Sequence, residues 1–185
     1  MLKLVTTPNI ILTGKAKPVA IIDKKIAGLV TEMIETLEAQ TDPPGVGLAA
    51  PQIGVDLAIF IIKPSFKAIT EVFINPKIMK IEMFKAKPSF AKATDGRKNK
   101  DKVKLEGCLS IPRIWGPVKR ADKVLLEYQN ISGEKQIRWF TGFKATIIQH
   151  EMDHLQGILF TQRSIEQNKN LYEEKGEELV KITDF

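Results

Sequence analysis

His150-Glu151-Met152-Asp153-His154 is the stretch on which the reading of this chain turns. On an α-helix, residues four apart lie on one face, one turn from each other, so two imidazoles so spaced can converge on one cation. The surrounding residues 143–157 read as that helix. Ala145, Ile148, Met152 and Leu155 fall near helical spacing, and Gly157 is a stop signal. Glu151 sits beside the metal rather than on it, where a general base for an activated water belongs.

Two histidines do not complete a catalytic centre, which usually takes three protein ligands and leaves one position open. They are the only histidines in the chain, and Cys108 is its only cysteine. Cys108 lies in Glu106-Gly107-Cys108-Leu109-Ser110, among small and turn-forming neighbours. Alone it reads as a small buried apolar residue. Beside the histidines it becomes the soft third ligand. A structural four-ligand zinc site would want more cysteines than the chain has. A third stretch, Gly45-Val46-Gly47-Leu48-Ala49-Ala50-Pro51-Gln52-Ile53-Gly54, lets backbone approach a ligand closely. It is no phosphate loop, because the glycine spacing is wrong and no Gly-Lys-Ser/Thr follows.

These three segments together resemble the peptide deformylase family, whose motifs Gly-x-Gly-x-Ala-Ala-Pro-Gln, Glu-Gly-Cys-x-Ser and His-Glu-x-x-His stand here intact and in order. The flanks Pro18-Val19, Ile74-Asn75-Pro76, Arg120-Ala121-Asp122 and Gly157-Ile158-Leu159-Phe160 fit as well. The resemblance implies a metal-dependent hydrolase that removes the N-formyl group from formylmethionine on new polypeptides and releases formate. It implies one divalent ion on Cys108, His150 and His154, Fe²⁺ in the cell, with Ni²⁺, Co²⁺ or Zn²⁺ as alternatives. Glu151 is then the general base and acid for a metal-acidified water. Gln52 through its side-chain amide, and Leu109 through its backbone N–H, are the oxyanion donors. The implied substrate-binding set is Gly45, Val46, Gly47 and Gly107 beside the peptide, with Ile53, Trp115, Phe143 and Ile147 as walls. Thr146 stands where relatives often carry a larger aliphatic. Asp153 is read as structural, paired with an arginine such as Arg120.

The implied partners are N-formyl-methionyl nascent peptides, with no membrane and no DNA. One cysteine fits a reducing, cytoplasmic setting. The N-terminus lacks the apolar core of a signal peptide. The longest apolar run, residues 57–62, is strand-length and far short of a membrane span.

At 185 residues the chain is expected to be one α+β domain, 1–185, with antiparallel or mixed sheets packed around a central metal-binding helix, and a C-terminal helix. A helix is expected over 23–39, strands over 57–62, 71–74, 77–82, 124–128 and 136–140, and a hairpin turn at 130–133. Residues 164–180 read as a charged helix within a helical tail, 164–185.

Residues 84–104 read as a basic surface insertion. From Lys85 to Lys104 there are eight Lys or Arg against two Asp, a surplus equal to the chain's net charge of +6. The favoured reading is a tolerated insertion without a partner. The alternative is an electrostatic foothold on ribosomal RNA.

Two rivals stay open. A His-Glu-x-x-His endopeptidase would take a later glutamate, Glu174, as third ligand. A non-catalytic relative would keep the fold and bind peptides or ribosomes.

Overall fold

A computed structural model describes residues 2–84 and 104–183. The first long element, α1 (Lys24–Glu38), starts where Asp23 accepts hydrogen bonds from the Lys25 and Ile26 N–H groups at 2.9 and 3.0 Å. That cap satisfies donors that have no partner within the helix. Val30, Met33 and Leu37 recur at helical spacing and are buried.

Five strands form one antiparallel sheet in the order β1 (Gly47–Ala49), β2 (Ile59–Ile62), β3 (Glu71–Glu82), β6 (Lys123–Gln129), β7 (Lys135–Thr141). Side chains alternate across a strand. In β2, Ile59 and Ile61 join the core under α1, while Phe60 and Ile62 join the core on the other face. Both faces are covered, which is why this segment is an unbroken apolar run. The second face carries a ring cluster: Phe73 lies 4.7 Å from Phe60, 4.6 Å from Tyr128 and 5.6 Å from Phe140. Against it pack Ala145, Ile148 and Leu155 of α2 (Gly142–Leu155).

The break expected at Asn75-Pro76 is a bulge within one continuous strand. Proline cannot donate to the ladder, and the register shifts there. The Asn75 side chain clasps Val19 through its N–H and carbonyl, at 2.7 and 2.8 Å, fastening the N-terminal segment to the sheet.

A second sheet has the order β4 (Leu105–Cys108), β5 (Ile111–Pro117), β8 (Tyr172–Lys175), β9 (Glu178–Lys181). Here the expected charged helix over 164–180 is corrected. A short helix, α3 (Phe160–Glu166), ends at Gln167, and a hairpin follows. Asn168 at φ 55° ends helical continuation, and Gly176 at φ 63° makes the two-residue turn between the paired Lys175 and Glu178. The Glu- and Lys-rich composition favours a helix, but pairing of β8 with β5 overrides it. The basic insertion expected over 84–104 lies, from 85 to 103, outside the described residues. Among the described residues no helix is long and apolar enough to cross a membrane.

Candidate metal centre and active site

Helix α2 carries His150, Glu151 and His154, and strand β4 ends in Cys108. One ligand atom from each of Cys108, His150 and His154 lies within 4.8 Å of the others. Cys108 Sγ is 3.1 Å from His154 Nε2. His150 turns its other nitrogen outward, Nδ1 donating to Glu106 Oε2 at 3.0 Å, which leaves Nε2 for a ligand. Burial alone would push the Cys108 thiol up, but His154 and His150 outweigh it and hold the thiol well below its usual range. A thiolate is the form that binds a metal ion. The donor set therefore fits one divalent cation.

Glu151 is 3% exposed, and its Oε2 is buried with no hydrogen-bond partner among the described residues. Burial pushes its carboxyl up to about 7, against the pull of His150 and His154. A buried carboxyl poised near neutrality, with one oxygen unspent, suits a proton acceptor for a water held at the ligand cluster. Gly47 of β1 makes room for it: a β-carbon there would collide with the Glu151 carboxylate and with Ile147.

Gln52 sits in the 3-10 turn Ala50–Ile53. Its Oε1 accepts from the Ala49 N–H at 2.8 Å, which orients the amide. The Nε2 end then points at Cys108 Sγ, 3.4 Å, and Ser110 Oγ, 3.2 Å. Ser110 is a partner that sequence reasoning did not assign.

Behind the ligands runs an ion network. Arg120 grips Glu106 with two nitrogens, Nε to Oε1 at 2.9 Å and Nη2 to Oε2 at 2.8 Å, and donates through Nη1 to Asp153 at 2.5 Å. Arg163 of α3 closes on the other Asp153 oxygen at 2.8 Å. Burial would raise the Glu106 pKa, but Arg120 and His150 outweigh it and bring it below 4.5. Arg120 is paired with Asp153 as the sequence reading had it. Glu106 was legible only as part of a motif, and Arg163 gave no signal, since its partner lies across a turn on another helix.

A cleft of about 460 Å³ opens onto these groups. Gly45, Val46, Gly47, Gln52, Gly107, Leu109, Trp115, Phe143, Ile147, His150 and Glu151 all line it. Ile53, expected as a wall, does not. It is buried in the core beneath α1 with Leu48 and Ile59, because the 3-10 turn that presents Gln52 directs the next residue into that core. Strand β1 is an edge of its sheet and β4 an edge of the other, so the cleft lies between two strand edges. Glu174, the rival third ligand, instead accepts from Trp115 Nε1 at 2.8 Å on β8.

The family model for polypeptide deformylase matches residues 1–170. The chain belongs to this enzyme family. The peptide deformylase of Dictyoglomus turgidum is 39% identical over 165 residues, which is 89% of this chain and 93% of that protein. The crystal structure of peptide deformylase from Thermotoga maritima superposes with a TM-score of 0.73 at 31% identity, covering 88% of this chain and 97% of that one. A peptide deformylase from Synechococcus elongatus, solved in complex with actinonin, gives 0.73 at 32% identity, covering 88% of this chain and 80% of that one.

Proposed function

We propose that this chain removes the formyl group from N-formyl-methionyl nascent peptides in the cytoplasm, with one divalent ion held by Cys108, His150 and His154. The observation that carries this is Glu151, buried beside three converging ligand atoms with an oxygen unspent. The ion is read as Fe²⁺ in the cell, with Ni²⁺, Co²⁺ and Zn²⁺ as substitutes the mixed sulfur and nitrogen set accepts. When bound it supplies Lewis-acid chemistry, polarising a carbonyl oxygen and lowering the pKa of a water.

The protein's own residues do the rest. Gly47 of the edge strand β1, with Gly45 and Val46 just before it, offers backbone groups to a peptide laid alongside as an added strand. Ile147, Phe143 and Trp115 give the methionine side chain an apolar slot. Glu151 takes a proton from the attacking water and passes it to the leaving amine, so that the C–N bond breaks to give formate and a free amino terminus. Gln52 Nε2 and the Leu109 backbone N–H face the oxygen that gains charge. Each such donor is worth about 3 kcal/mol of barrier.

The test is formate release from formyl-Met-Ala-Ser by protein purified anaerobically with Fe²⁺ or Ni²⁺. Wild type turns over. Glu151→Ala does not, yet keeps its metal, and Gln52→Leu loses about a hundredfold or more in kcat. Cys108→Ala loses the ion itself. Cleavage of casein without formate release would move the chain to the endopeptidase class. For the basic segment, deletion of residues 87–102 with unchanged salt-dependent ribosome binding would make it a tolerated insertion rather than a foothold on ribosomal RNA.

A further inference from the structure

Resting on that reading, we propose that the cleft selects formylated peptides with acidic side chains just after the methionine, through Lys104 and Lys119.

Several charges in the cleft are already engaged. Glu106 and Arg120 grip each other. Asp122 accepts the neutral Phe84 N–H at 2.7 Å and so keeps its negative charge, with no cation paired to it among the described residues. Glu151, His150 and Cys108 belong to the ligand cluster. Among the described residues, the other charged residues of the cleft wall are Lys104 and Lys119, two cations against the single charge of Asp122. Both are exposed, and neither ammonium has a carboxylate partner among the described residues.

Their placement is not scattered. Leu105 pairs with Pro117 at one end of the β4–β5 ladder, and Cys108 pairs with Ile111 at the other. Lys104 precedes Leu105 and Lys119 follows Pro117 by two residues, so both stand at the end of the ladder away from the ligand cysteine. Their backbones are held. The Lys119 N–H donates to Gln167 Oε1 at 2.7 Å, and the Lys119 carbonyl accepts from Gln167 Nε2 at 3.3 Å. A peptide with its formyl end at Cys108 and Glu151 runs its following residues along a cleft whose far rim holds two unspent cations. An extended chain puts successive side chains on opposite faces, so acidic residues at the first two positions after methionine present one carboxylate to each face, within the field of those cations.

Lysine at a rim is a compact, mobile charge, and contributes attraction rather than exact geometry. The selectivity therefore lies in KM rather than kcat, because the contact is remote from the reacting atoms and equal in ground and transition states.

The experiment uses the metal-loaded full chain and three C-terminally amidated peptides, formyl-Met-Asp-Asp, formyl-Met-Asn-Asn and formyl-Met-Lys-Lys. At low salt kcat/KM falls in that order, by about threefold to tenfold between the first and last. The spread narrows in high salt as the charges are screened. In Lys104→Gln/Lys119→Gln the ratio of the Asp to the Lys peptide drops toward one, and in Lys104→Glu/Lys119→Glu it inverts. Equal kcat/KM for the three peptides in the wild type, or a ratio that the double variants leave untouched, overturns the proposal. The Asn peptide separates this result from the deformylase reading: its turnover upholds deformylation whatever the charge preference, and no turnover of any peptide sinks both.

Discussion

Two ion networks stand on the two sides of α2, alike in composition and unlike in setting. Behind the ligand cluster, Glu106, Arg120 and Asp153 have side chains only 10%, 8% and 11% exposed. On the other side, Glu71 of β3 meets Lys144 at 2.5 Å and Arg138 at 3.4 Å, with those cations 45% and 53% exposed. The first joins four charges, with Arg163 on Asp153, and the second joins three, all within hydrogen-bonding distance. The Glu106, Arg120 and Asp153 side chains of the first are largely cut off from water, so solvent cannot stand in for a lost partner there. The number of ion pairs therefore says little about what they contribute. The buried network orients the metal helix because breaking it is costly, while the exposed one is replaceable by solvent.

The largest effect should come from Arg120→Leu. It strips the Glu106 carboxylate of the guanidinium that grips both its oxygens and leaves Asp153 to Arg163 alone, and the loss is about 3–5 kcal/mol in denaturant unfolding. A loss below about 1 kcal/mol would show that the two networks are equivalent after all. Glu106→Gln comes next. It keeps shape but weakens the partner that fixes the His150 ring, so metal affinity should fall by about 10- to 100-fold, read by competition with a chelator. The same carboxylate sets a pH signature in the metal-free protein. Its folded pKa lies below 4.5, so the unfolded chain takes up the proton more readily. The stabilisation is complete above about 4.5 and drains away as pH falls through the folded value. Unfolding measured against pH should show this slope in wild type and lack it in Glu106→Gln. Arg163→Ala is milder, about 1 kcal/mol, since Arg120 still holds Asp153.

The same contrast explains what could be read from the chain. The histidine pair and its helix were legible because helical spacing is a local property, and β2 was legible because burial on both faces leaves an unbroken apolar run. Strands β4 and β5 escaped notice. Gly107, Pro112, Gly116 and Pro117 disfavour strand by composition, and their pairing comes from partners elsewhere in the chain. The polar hairpin β8–β9 was mistaken for helix for a related reason: its strand state depends on β5 and not on its own residues. Within the site, Arg120 with Asp153 was readable as a pair of charges near the motif, whereas Arg163 depends on how α3 docks. Ile53 was misplaced because adjacency to Gln52 in sequence says nothing of which way a 3-10 turn directs each side chain.

The smallest effect belongs to the exposed network. Lys144→Ala removes a short contact to Glu71, one that by distance alone rivals any in the buried network. Glu71 keeps Arg138 nearby at 3.4 Å, and the lysine that is lost was already nearly half exposed. Water replaces the ammonium at little cost, and ordering a long side chain is no longer required. The expected change in unfolding free energy is within about 0.5 kcal/mol, shrinking further in salt, with metal affinity unchanged. If Lys144→Ala instead approached the loss in Arg120→Leu, distance rather than burial would govern the strength of these pairs, and the distinction between the two sides of α2 would collapse.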